Sequence, residues 1–148
     1  MKNRAYIYVA TLMIVGVLSF NTQAQSSRNM QRLRVSIPFA FNAGDTKLPA
    51  GKYRLHVVNP SSDRCILQIA GTDGTSRVMI KTMDIQGQSS EEARLTFKRY
   101  GDQYFLTQVW MAAESSGFET PTSKAEKMLR RQLGPLAKNY EVVAINAR

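Results

Sequence analysis

The chain has 148 residues, 20 Lys plus Arg against 11 Asp plus Glu, one Cys and one His. That length suits one domain, and an apolar share of 43% is that of a folded protein. One Cys excludes an internal disulfide framework and a multi-cysteine zinc site, and one His excludes a His-rich metal centre.

Residues 1–24 read as a secretory signal peptide. Lys2 and Arg4 form a short basic start, residues 5–20 carry no charge, and Thr22 and Ala24 place small residues at signal-peptidase spacing. The rival reading is a membrane anchor. A stable span needs about 20 apolar residues, and no stop-transfer pattern follows this shorter stretch. The expectation is a bacterial protein cleaved near Ala24, with no stable membrane span afterwards, residing in the periplasm or outside the cell. No Cys stands at the cleavage site to take a lipid anchor. Removing Lys2 and Arg4 leaves 18 basic residues against 11 acidic ones, a net charge of +7. Cys65 is then alone in an oxidising compartment, which a buried thiol tolerates.

Residues 25–32 read as a flexible arm and 33–148 as a single β-rich domain. Leu33, Val35, Ile37, Phe39 and Phe41 alternate with other residues, a half-buried strand in which Pro38 marks an edge or a bulge. Turns follow at residues 42–45 and 48–51, and Tyr53, Leu55 and Val57 open the next strand. Asp73-Gly74 signals a type I′ hairpin that sets Ile69 opposite Val78, Leu67 opposite Ile80 and Cys65 opposite Thr82. Gly101-Asp102 signals a type II′ hairpin pairing Arg99 with Tyr104, Phe97 with Leu106 and Leu95 with Gln108. In that register Trp110 continues the core face, and the reverse face holds Thr96, Lys98 and Tyr100 against Phe105, Thr107 and Val109. Residues 114–120 read as a polar loop. Ser123 and Glu126 then fit a capping box, and Ala125, Met128, Leu129 and Leu133 recur at helical spacing up to Gly134-Pro135. A strand over residues 140–146 closes the chain. The expected fold is mainly β: a small antiparallel β-sandwich or barrel of about seven strands with one late α-helix.

Candidate chemistry is sparse. A Cys65–His56 nucleophilic dyad needs contact at about 2.6–3.2 Å, whereas the alternation puts the two on opposite strand faces. Asp63, Asp73 and Asp102 fall at turns, where Asp favours local geometry. No phosphate-binding glycine loop, Gly-x-Ser-x-Gly elbow or His-Glu-x-x-His helix occurs. No catalytic residue, metal ligand or cofactor site is assigned. A carboxylate hydrolase using Asp102 and Glu114 is the enzymatic alternative, and it requires the two to converge in one cleft. The remaining signal is one hairpin. Lys98, Arg99, Tyr100, Tyr104 and Phe105 mix cations with aromatics, with Trp110 beyond them, a candidate contact surface for an anionic ligand. Export makes anionic envelope polymers or lipid headgroups better partners than nucleic acid. The helix cations Lys124, Lys127, Arg130 and Arg131 suit a membrane surface, although the narrow apolar stripe of that helix favours packing onto the sheet.

Three segments carry a resemblance. They are Ile37-Pro38-Phe39-Ala40-Phe41, Leu48-Pro49-Ala50-Gly51-Lys52-Tyr53, and Arg99-Tyr100-Gly101-Asp102-Gln103-Tyr104-Phe105-Leu106 with Val109-Trp110. With the charged segment 123–131, they resemble a family of small uncharacterised secreted β-rich proteins common in acidobacteria and related soil bacteria. The resemblance implies export and one β-rich domain. It carries over no functional residue, cofactor or partner. The expected role is an exported, non-enzymatic module of the cell envelope, binding or structural. The alternatives to that role are the carboxylate hydrolase and a subunit of an envelope assembly, in which the 33–41 strand, as an edge, adds to another envelope protein's sheet.

Overall fold

The computed structural model describes residues 32–59 and 65–148. The expected signal peptide, nearly all of the arm and the Asp63 turn lie outside the described residues. Within them the fold is mainly β with one late helix. The strands are β1 (Arg32–Ile37), β2 (Phe41–Ala43), β3 (Thr46–Leu48), β4 (Gly51–Val57), β5 (Cys65–Gly71), β6 (Arg77–Gln86), β7 (Ala93–Tyr100), β8 (Gln103–Trp110), β9 (Ser116–Glu119) and β10 (Glu141–Ala147). Helix α1 spans Lys124–Leu133, and a 3-10 turn follows over Gly134–Lys138. The count exceeds seven because β2, β3 and β9 have only three or four residues each, too few for alternation to register. The 33–41 run is one strand in pattern and two in fact: β1 ends at Ile37, directly before Pro38, which has no N–H to give a ladder.

Antiparallel pairing links β1, β4, β5 and β6, then β6, β9, β8, β7 and β10. β6 serves both runs, pairing with β5 through residues 77–82 and with β9 through residues 83–86. The two outer ends also meet. Arg34 N–H donates to the Arg148 carbonyl, and Arg148 N–H donates back to the Arg34 carbonyl. This reciprocal pair ties β1 to the residue after β10 and closes the sheet into a barrel, in place of an open two-sheet sandwich. The β2–β3 hairpin joins it through a short parallel contact of Phe41 and Asn42 with Tyr104 and Phe105 of β8.

The first hairpin has the register its hydrophobic pattern requires, with Ile69 opposite Val78 and Cys65 opposite Thr82. Its turn is not type I′, because Gly74 has a positive φ (+79°) and Asp73 does not. Gly71 N–H instead closes a longer loop onto the Ser76 carbonyl, and the Asp73 carboxylate accepts from the Thr75 N–H and hydroxyl. Those bonds hold the Asp73 carboxyl below the ordinary carboxylate value.

The second hairpin departs from expectation beyond its turn. Arg99 faces Tyr104 and Phe97 faces Leu106, but Thr96 faces Gln108 and Leu95 faces Val109. One extra residue on β8, Thr107, forms a bulge that flips every later side chain to the other face. Val109 therefore enters the core and Trp110 leaves it. The bulge is internally satisfied: the Thr107 hydroxyl donates to the Thr96 carbonyl, and the Thr120 hydroxyl reaches the Leu106 carbonyl at 2.6 Å.

The barrel interior is filled by side chains. Phe41 and Phe97 meet edge to face at 5.5 Å, Phe39 meets Phe97 at 5.3 Å, and Tyr53 meets Phe41 at 5.4 Å. Each such ring contributes roughly 1.5–3 kcal/mol by burial, and edge-to-face contact adds about 0.5–1.5 kcal/mol. The Tyr53 hydroxyl satisfies itself on the Pro49 carbonyl at 2.6 Å.

Candidate functional site

The six hairpin residues singled out by composition prove to be engaged within the chain itself. Tyr100 and Phe105 point out of the barrel, but α1 covers that side, leaving them 5% and 1% exposed. Their rings meet at 5.8 Å. The Tyr100 hydroxyl donates to Glu126 of α1 at 2.9 Å, and burial together with this carboxylate pushes the phenol up to about 12. Arg99 donates to the Gly101 carbonyl and pairs with Glu141 at 3.1 Å, with its guanidinium over the Tyr104 ring. Tyr104 in turn stacks on Phe39 at 3.8 Å. Lys98 lies over the Tyr140 ring. Trp110 is 9% exposed, bonded to Gln108, and packed where Gly117 and Gly87 have no side chain; a Cβ at either would come within 2.8 Å of the indole.

Of the stripe that the spacing of α1 suggests, Leu129 and Leu133 are half-buried alongside Glu126, while the other two positions face solvent. Met128 is 60% exposed and Ala125 is also exposed, while Glu126 is 3% exposed. Ser123 does cap α1, accepting from the Glu126 N–H at 3.0 Å. The second half of the capping box is absent, because Tyr100 takes the Glu126 carboxylate. The first-turn N–H of Lys124 is met by Asp45 from the β2–β3 turn.

Other candidates are dispersed. His56 sits on the outer face of β4 and Cys65 points inward from β5, so the two cannot touch. Asp102 and Glu114 flank opposite ends of the eight-residue β8, a separation of about 26 Å at strand rise.

A different cluster emerges from the pairing. Directly opposed residues in a sheet share a face. Arg34 opposes Arg54, Arg54 opposes Ala70, and Ala70 opposes Arg77. The Arg34–Arg148 pair extends the row onto the chain's last residue. Four arginines and one alanine thus cross β1, β4, β5 and β6 and the residue after β10 in a line of about 19 Å at sheet spacing. Because Arg34 spends both backbone groups on Arg148, it faces Arg54 as a non-hydrogen-bonded pair, the closer of the two antiparallel arrangements. Like charges directly opposed destabilise a sheet.

β1, β4, β5 and residues 77–82 of β6 contain no Asp or Glu, and the carboxylate beside the groove, Glu92, accepts from the Asn146 amide. Among the described residues, Arg34, Arg54, Arg77 and Arg148 have no ion pair, and the one that forms is Arg99–Glu141. Ala70 lowers the floor between its neighbours. Two adjoining grooves result, sharing Arg34 and Arg54. The larger, about 870 Å³, adds Ser36, Lys52, Thr72, Asn146 and Arg148; the smaller, about 300 Å³, adds Arg32, His56, Gln68, Ala70 and Arg77. The Nδ1 atom of His56 is buried with no hydrogen-bond partner among the described residues.

No family model, curated protein or solved structure matches the chain. The site therefore stands on its own chemistry. Guanidinium groups are permanently charged forks that match carboxylate and phosphate oxygens. The hydroxyl and amide groups of Ser36, Thr72, Asn146 and Gln68 between them suit neutral polar atoms on the same ligand. Sequence reasoning overlooked this face because its cations are one or two per strand, and only pairing brings them into a row. The legible signal was the outward set of Arg32, Arg34, Lys52, Arg54, Arg77 and Lys81 with no acidic member.

Proposed function

We propose that this protein is an exported, non-enzymatic binding module of the cell envelope whose ligand is an acidic polysaccharide. The observation that carries the reading is the row Arg148–Arg34–Arg54–Ala70–Arg77, which runs along two adjoining grooves with no ion pair among the described residues. A linear polymer with spaced carboxylates fits the arginines, while its hydroxyls fit the neutral polar groups between them. The grooves favour a chain over a flat bilayer, and no helix among the described residues is long and apolar enough to cross a membrane. An assembly role through strand addition at 33–41 has less support, since β1 has β4 on one side and Arg148 on the other.

The test is retention on immobilised polygalacturonate. Wild-type protein is expected to bind and elute with salt, and R34Q/R54Q to elute at clearly lower salt, while K47Q, an exposed β3 cation that lines none of these grooves, behaves as wild type. Equal elution of R34Q/R54Q and wild type overturns the assignment of the face.

A further inference from the structure

Helix α1 and the turn after it form a further basic groove on separate elements. Gly134, at φ +53°, ends the helix by returning its N–H to the Arg130 carbonyl, and the 3-10 turn folds back toward Tyr140. Between them lies a groove of about 470 Å³ lined by Lys127, Arg130, Arg131, Lys138 and Tyr140, with no carboxylate in its wall. The acids nearest in sequence are committed elsewhere: Glu126 is held inward by Tyr100, and Glu141 by Arg99.

Arg130 and Arg131 at the carbonyl end of α1 are favoured by the helix dipole, which accounts for those two. It does not account for the other half of the cluster. Lys127 and Arg131 stand at i and i+4, where like charges repel, and Lys138 arrives from the next turn. Among the described residues none of the four cations is ion-paired. Tyr140 adds a ring that is 41% exposed at the edge of the groove, with Lys98 over it and the Tyr100 ring 5.7 Å away. The four cations share with the arginine row a chemistry that suits spaced anionic groups on one ligand.

Its position gives it consequence. Around the barrel the strands run β10, β1, β4, β5, β6, β9, β8, β7. The arginine row runs from the residue after β10 across β1, β4, β5 and β6 and centres on β4. Helix α1 lies over Tyr100 of β7, with the β8 residue Phe105 beneath it. β8 stands half-way round from β4, so the α1 groove and the row face in opposed directions.

We propose that the α1 groove is a second site for acidic polysaccharide, so that one molecule bridges two chains of the polymer. This rests on the reading of the arginine row, and the experiment separates the two. Purified protein is titrated into polygalacturonate, with light scattering reporting cross-linking and column retention reporting binding. Wild type is expected to raise scattering steeply, because bridging needs both sites at once. K127Q/R131Q is expected to stay on the column yet lose about tenfold or more of that scattering. K138Q, outside the helix, tests the same groove without touching helix stability and is expected to fall in the same direction. Scattering by both variants equal to wild type overturns the second site. Loss of all column retention in K127Q/R131Q, with R34Q/R54Q unaffected, overturns the arginine row and makes α1 the sole site, ending the bridging proposal. Cross-linking of anionic lipid vesicles without cross-linking of polygalacturonate overturns the polysaccharide as occupant.

Discussion

Glu126 is the residue whose environment says most about how the outer layer is held. A carboxylate this deeply covered needs a donor, and the Tyr100 hydroxyl is the one it has from the sheet. Tyr100→Phe removes that donor and leaves the acid buried, which is expected to cost about 1–3 kcal/mol. Its alkaline behaviour follows from the raised phenol. Below the unfolded tyrosine value of about 10 the contribution is complete. As pH rises toward about 12 the unfolded chain gives up its proton first, and stability falls. Denaturant midpoints measured through that range are expected to drop more steeply in wild type than in Tyr100→Phe. Parallel slopes in the two proteins would refute the role given to this hydroxyl. No amphipathic count predicts this pair, because a Glu at the third helical position is ordinarily read as part of a cap.

Strands behaved differently from helix at the scale of elements. Alternation located the β5–β6 register correctly even though the turn type differed, since a buried face tolerates no one-residue slip. The same logic failed on β8, where one bulged residue reversed the faces of Val109 and Trp110. Thr107 carries no mark that separates it from a regular strand residue. What fixes the bulge is the pair of hydroxyls, its own and that of Thr120, meeting carbonyls the ladder leaves open. The arginine row is also an element-scale feature, and it has a stability signature. Arg54 is opposed by Arg34 in the closer type of pair, so Arg54→Gln is expected to raise stability by about 0.2–1 kcal/mol while weakening polymer retention. Urea midpoints on the folded variant check the first part. A midpoint below that of wild type would mean that the guanidinium is stabilising where it stands.

Taken as a whole, the described residues form a closed barrel with a filled interior, two adjoining cationic grooves on one side and a third between α1 and the turn after it. The charge excess is therefore not a uniform coat. The cations of the β7–β8 hairpin are absorbed by Glu141, Tyr104 and Tyr140, and those of the β1–β4–β5–β6 face and of α1 are left facing outward. The proposed setting, outside the cytoplasm, has its own check. Expressed in a bacterial host, the protein is expected in the exported fraction with a mass that begins near Gln25. Recovery with Met1 intact and membrane-bound would contradict cleavage.

By itself the sequence determined the fold class and the inward faces of β1, β4, β5 and β7, because period-two alternation is a local property of the chain. Tertiary structure alone decided closure, the bulge and the grooves. Arg34 and Arg148 are 114 positions apart and meet through backbone atoms that carry no side-chain signature. A row of charges across strands is a property of register, and register exists only once non-adjacent strands have paired.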